Sequence, residues 1–234
     1  LEFRRVLFRS LSICVMHPSD ANLSMLLSRI PQGAQIVSCR IEQADEFDEH
    51  FELIADTPNI VSLVYRYKSY QEDFDFSAIR NKMDEMASGE WCLHIDSDEY
   101  IGNRPEDVID ELHALNEVGA VAGWISIAGI MYRDSNADAI RERYAVHSCR
   151  LIKRNSGINW EGIVHEIPTT HGKELPFVDT DIFLLHDGYK IEDEDFQKKA
   201  ERNGTLLIRE YTRKPTKRCW NYIIKTFTNL KLKE

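Results

Sequence analysis

Cysteine pairs at metal-binding spacing are missing from this chain. Cys14, Cys39, Cys92, Cys149 and Cys219 stand alone, with no C-x-x-C among them. That excludes a zinc ribbon, and three of the five lie in apolar, strand-like runs, so they read as reduced core thiols of a cytoplasmic protein rather than disulfide partners. Long apolar runs are missing too. Residues 11–16 form a run too short for a signal h-region or a membrane span. There is no internal repeat, no low-complexity tract and no linker that divides the chain, which excludes solenoid and tethered-module organisations. A basic excess is also absent. The formal net charge is −10, and an acidic body argues against wrapping nucleic acid, which needs a basic footprint.

With 234 residues of which 43% are apolar, the chain can bury a full core as one domain with an appendage. Its charge is unevenly placed. Residues 198–234 carry eleven Lys or Arg against three Glu, a net +8. That basic tail can face anionic lipid at a peripheral membrane contact, or solvent. Residues 1–10, LEFRRVLFRS, match the translation of a common sequencing adapter from Glu2 onward and are expected to lie outside the fold. Removing their net +2 leaves −12, so residues 11–197 carry −20.

Hydrophobic periodicity gives a β-α-β opening: a strand over 11–17, a helix over 21–30 ended by Pro31 and Gly33, and a strand over 35–41. Residues 45–55 read as a helix and 60–65 as a further strand. Such alternation predicts an α/β fold, a mostly parallel, Rossmann-like central sheet flanked by helices with right-handed crossovers. Residues 105–117 are a predicted helix, 120–132 a glycine-punctuated strand pair and 133–143 a polar loop. In 217–232, Trp220, Ile223, Ile224, Phe227 and Leu230 share one helical stripe, expected to dock on the domain.

The chemistry concentrates in residues 91–101, WCLHIDSDEYI, an apolar run that empties into Asp96, Asp98 and Glu99. Asp96 and Asp98 are two apart, so extended backbone sends both from one face. Acids crowded at the carboxyl end of a parallel strand need a cation or a proton between them, and open α/β sheets collect ligands there. Oxygen ligands favour Mg or Mn, carrying a phosphorylated ligand. Upstream, FDFSAIRNKMDEMASGE predicts a helix that feeds this strand, with Arg80 and Asn81 in an early turn where a guanidinium can meet an anion. His94 shares the parity of the aspartates but lies deeper, as a satisfied core histidine.

The ordered block S-A-x-R-N, helix, G-E-W, apolar strand, D-x-D-E resembles family 2 glycosyltransferases of the GT-A fold. Two further blocks, RLIKRNSGINWEGIVHE over 150–166 and LLHDGY over 184–189 with a helix carrying Lys199, Arg202 and Asn203, resemble the bacterial subgroup that includes lipopolysaccharide-core and tandem-repeat-associated sugar transferases. The resemblance implies a GT-A domain over 11–195, a C-terminal helical segment over 196–234, and inverting, metal-assisted transfer of a sugar from a nucleotide diphosphate, UDP by expectation, to a hydroxyl on a surface glycan, lipid or protein. It implies Asp96 at the ribose or metal, Asp98 on the metal and His186 completing the metal site. An inverting transfer needs a base for the acceptor hydroxyl, and Glu166, with His165 beside it, or Asp187 can serve. Trp160 offers a ring face to the acceptor sugar. Donor contacts fall to Arg80, Asn81, Asp20 and Glu42, although Glu42 and Asp45 match the family's base-reading acid poorly. A haloacid dehalogenase-type phosphatase also uses D-x-D after an apolar strand, but it wants Thr or Val where Tyr100 stands. A catalytically silent carbohydrate-binding relative is the third reading.

Overall fold

A computed structural model describes residues 10–18, 21–132, 141–171, 176–190 and 193–229. Nine strands form one sheet in the order β3-β4-β2-β1-β5-β8-β7-β11-β6. The first four to appear are β1 (Leu11–Pro18), β2 (Gln35–Gln43), β3 (Phe51–Asp56) and β4 (Ile60–Tyr67). They are followed by β5 (Trp91–Asp96), β6 (Glu99–Ile101), β7 (Ala122–Tyr132), β8 (Arg141–Lys153) and β11 (Phe177–Lys190). The short strands β9 (Asn159–Glu161) and β10 (Ile167–Thr169) make a separate antiparallel pair. Five described helices complete the chain: α1 (Ser24–Ser28), α2 (Phe76–Met86), α3 (Pro105–Glu117), α4 (Asp193–Arg213) and α5 (Lys217–Asn229).

The Rossmann-like part is the parallel run β4-β2-β1-β5. Beyond it β8 runs antiparallel to both β5 and β7, while β11 returns parallel to β7. The carboxylate strand β5 therefore sits at the middle of the sheet, as expected. Its residues divide between two apolar clusters because successive side chains leave opposite faces. Trp91, Leu93 and Ile95 join Val108, Leu112 and Leu115 of α3. Cys92 joins Ile79 and Met83 of α2, with Leu206 and Leu207 of α4. Asp96 has the parity of Cys92 and His94, so it emerges on the side covered by α2. That parity is what brings a helix arginine to it.

Several sequence expectations are corrected. Residues 45–55 hold no helix; Phe51–Asp56 is an antiparallel edge strand on β4. Its Phe51 packs against Tyr65, and that cross-strand contact outweighs the helical reading of the acidic stretch. The helix expected over 21–30 shrinks to Ser24–Ser28. Residues 120–132 give one long strand rather than a pair, because the return strand is β8. Ser97 and Asp98 form a turn between β5 and β6, so Asp96 and Asp98 do not share a strand face. Residues 133–140 of the predicted polar loop lie outside the described residues. The five cysteines are free and buried.

Candidate active site

Helix α2 begins at a clean start signal. The Asp75 carboxylate accepts from the Ala78 backbone N–H at 3.1 Å and from the Ser77 hydroxyl at 2.7 Å, satisfying donors that the first turn leaves open. With its start fixed, α2 projects Arg80, Asn81 and Asp84 toward the loop that carries Trp160 and Glu166. Asn81 grips the Trp160 backbone from both sides: its Nδ2 donates to the Trp160 carbonyl at 3.0 Å, and its Oδ1 accepts the Trp160 N–H at 2.8 Å. Asp84 accepts the Trp160 indole N–H at 2.9 Å and pairs with His94 Nε2 at 2.8 Å. The Arg80 guanidinium lies over the same indole, 5.0 Å from its centroid.

These contacts correct the expectation for Trp160. Trp160 is only 4% exposed and its ring is enclosed by Arg80, Asp84 and His94, so it presents no face to an acceptor sugar. Both ends of the Asn81 amide bond the Trp160 backbone, so this residue holds the loop in place. His94 is buried, and burial outweighs the opposing pull of Asp84 to lower its pKa and keep the ring neutral. Cys14, Asp84 and Cys92 bring three ligand-type atoms together beneath the site. The Asp84 oxygens already serve His94 and Trp160, so this group works as a polar brace for α2.

Above that brace lies a charge cluster. Arg80 Nε donates to Glu166 Oε1 at 2.5 Å, and its Nη2 lies 3.4 Å from Asp96 Oδ1. Arg150, from β8, clamps Asp96 with both arms, at 3.1 and 2.9 Å. Burial would raise the Asp96 carboxyl, but Arg150 and then Arg80 outweigh it and hold the group well below the usual range. The same balance, with Arg80 as the opposing charge, lowers Glu166. Asp96 is thus neutralised by guanidiniums, where the sequence reading anticipated a metal or a proton. The signal for Arg150 was its place opening the R-L-x-x-R block, yet nothing local in the sequence ties it to Asp96.

The turn is closed by Glu99. Its Oε2 accepts the Asp96 backbone N–H at 2.9 Å, and burial together with the Asp96 charge raises its pKa. Asp98 is left at the tip of the turn, 57% exposed, with His186 Nε2 3.0 Å from its Oδ2. Antiparallel pairing of β6 with β11, His186 opposite Glu99, sets this approach. Burial works against a charged His186 ring, but the hydrogen bond to Asp98 prevails and the pKa is raised. The Asp98 carboxylate and the His186 imidazole are donor types that a divalent ion can take up in exchange for their mutual hydrogen bond. A hollow of about 330 Å³, lined by Pro18, Asn22, Met25, Asp98, Glu99 and Tyr100 among others, opens beside Asp98.

The remaining candidates separate. Glu42, next to last in β2, stands three residues past the level of Asp96, in ion pairs with Arg40 at 2.8 Å and Arg66 at 3.7 Å. By strand geometry that places it about 10 Å further along the sheet, on the rim and outside the Arg80–Asp96 cluster. His165 adopts a left-handed backbone, φ 52°, and its ring stacks on Tyr222 of α5 at 4.4 Å. Asp20 lies outside the described residues. Asp187 is in β11, but its side chain is outside them.

No family model matches the chain. It is 24% identical over 203 residues to the SPbeta prophage-derived glycosyltransferase SunS of Bacillus subtilis (strain 168), an alignment covering 81% of this chain and 45% of that protein. The glycosyltransferase SunS of Bacillus phage SPbeta gives the same figures. This chain is similar to glycosyltransferases. It spans less than half the length of these relatives. Among solved structures, S. aureus TarS 1-349 in complex with UDP-GlcNAc aligns with a TM-score of 0.45 at 13% identity, covering 94% of this chain and 72% of that one.

Proposed function

We propose that this chain is the catalytic domain of a glycosyltransferase, of family 2 with a GT-A fold, that transfers a sugar with inversion from a UDP-linked donor to a hydroxyl acceptor on a surface glycan, lipid or protein. The observation that carries this reading is the placement of Asp98 and His186 together at the mouth of the central strand, beside a hollow and above an arginine-held Asp96. The similarity to SunS supports it independently. The five buried free thiols suit the reducing cytoplasm.

Asp98 and His186 would hold the divalent ion, which supplies charge to offset the diphosphate as it departs. Asp96, fixed by Arg150 and Arg80, orients the donor from beside it. Arg80 spans Asp96 and Glu166, so donor and acceptor sides of the site share one rigid guanidinium. Glu166 is the base of this proposal. Its pair with Arg80 keeps it ionised, the state a proton acceptor requires, and its second oxygen is the atom that would face the acceptor hydroxyl.

The test is a titration of UDP with and without Mn, by calorimetry, in the parent and in Asp98→Asn. The parent should show strong metal dependence and the variant should lose most of it. Equal metal-free affinity in both proteins rejects the assignment.

A further inference from the structure

Helices α4 and α5 form an antiparallel hairpin whose outer side is apolar. Gly204 of α4 has no side chain where Phe227 of α5 crosses it; a Cβ there would stand 3.2 Å from the Phe227 ring. Seven residues along α4, Tyr211 meets Trp220, ring centroids 5.7 Å apart. Ile208 and Ile224 occupy the helical turns between these two contacts. The buried side of α5 is a different one, with the Cys219 thiol donating to the Leu207 carbonyl at 3.2 Å and Tyr222 under His165. Ile208, Trp220, Ile224 and Phe227 are therefore left between 44% and 51% exposed, as one ladder. The stripe expected to dock on the domain does so in part, with Ile223 against the core and Phe227 over Gly204, and leaves the rest of its apolar surface outward.

The charge around this ladder is predominantly positive, with Glu201 exposed two turns before Ile208 on α4 and Glu161 lying 3.9 Å from Lys214. Residues 208–229 hold six Lys or Arg and a single acid, Glu210. Glu210 is 8% exposed and is taken by Arg218 and the Ile163 N–H, so it contributes no exposed carboxylate. Arg213, Lys214, Lys217 and Lys225 are exposed along the turn and the flank of α5. Outside this segment the chain is strongly acidic.

We propose that the outer face of the α4–α5 hairpin docks on an anionic lipid surface. The apolar ladder supplies the burial, and Trp220 is the residue type that settles at the boundary between headgroup and acyl chain. The lysines supply attraction to anionic lipid headgroups. The acidic remainder of this chain is repelled by the same surface, which favours approach by this face. No described helix is long and apolar enough to cross a membrane. The inference does not depend on the sugar-transfer reading.

The test is sedimentation of the full chain with phosphatidylglycerol-containing vesicles and with pure phosphatidylcholine vesicles, at low and at high salt. The parent should pellet with the anionic vesicles at low salt and be released by salt. The double variant Lys217→Glu/Lys225→Glu alters exposed residues only, so its melting temperature should match the parent while its vesicle affinity falls by about tenfold or more. Trp220→Ala should weaken binding without abolishing the charge dependence. A parent that stays in the supernatant with anionic vesicles at low salt overturns the proposal. So does binding unchanged in the double variant, or a lipid-free dimer that Trp220→Ala dissociates, which would make a second copy the occupant.

Discussion

Arg80 and Glu166 are separated by 86 positions in the chain and meet in a 2.5 Å ion pair in which the arginine side chain is 4% exposed and the glutamate 11%. Such a pair is costly to break from one side, because the surviving charge stays buried without its partner. Arg80→Met should destabilise the protein by roughly 3 to 5 kcal/mol, read from chemical denaturation. Arg80→Lys should recover only part of that. An ammonium cannot span Glu166 and Asp96 while covering Trp160, whereas the guanidinium does all three.

The same pair sets an acid limit on stability. Glu166 is lowered in the folded protein, so its stabilisation is complete above the pKa of an unfolded glutamate and is lost as pH falls through the folded value. Melting temperature should therefore drop steeply below about pH 5. Glu166→Gln should start from a lower plateau and show a shallower acid slope. A parent and variant with parallel pH profiles would remove Glu166 from the linkage.

Asp84 gives a test of the brace beneath the site. It accepts from Trp160 Nε1 and pairs with His94, and the half of it facing Trp160 loses its donor in Trp160→Phe. That variant should cost about 1 to 3 kcal/mol, the range for a buried acceptor left unsatisfied, and more than the lost ring area alone explains. Adding Asp84→Asn should bring less than an additive penalty, since the two residues share one interaction. Donor affinity should fall in Trp160→Phe as well, through the tilt of Arg80, although Trp160 touches no ligand in this reading.

How far the sequence reaches is visible in these residues. The strand that empties into Asp96, the helix before it and the 105–117 helix could be read from apolar period and stop signals, which are local. Asp96, Asp98, Arg80 and His186 could be listed because short spacings and a family resemblance name them. What could not be read was who neutralises whom. Arg150 reaches Asp96 only because β8 pairs with β5, a contact 54 residues long in sequence, and no local pattern encodes it. Trp160 looked like an open aromatic platform because its burial is made by α2, which precedes it by some 80 residues. The edge strand Phe51–Asp56 was missed for the same reason. An acidic, weakly periodic stretch becomes a strand when a neighbouring edge offers it a hydrogen-bonding ladder and a tyrosine to pack on.

The sharpest prediction concerns the base. Glu166→Gln keeps the side-chain shape and removes the proton acceptor, so transfer should fall by roughly 10² to 10⁴ at saturating donor. The donor dissociation constant should change little, because Asp96 keeps both of its Arg150 contacts at 3.1 and 2.9 Å. Asp187→Asn, measured in parallel, separates the rival candidate, which lies one residue beyond His186 on β11. If Glu166→Gln turns over within a few-fold of the parent while Asp187→Asn is inactive yet binds donor, Asp187 is the base. Glu166 is then a structural acid that partners Arg80.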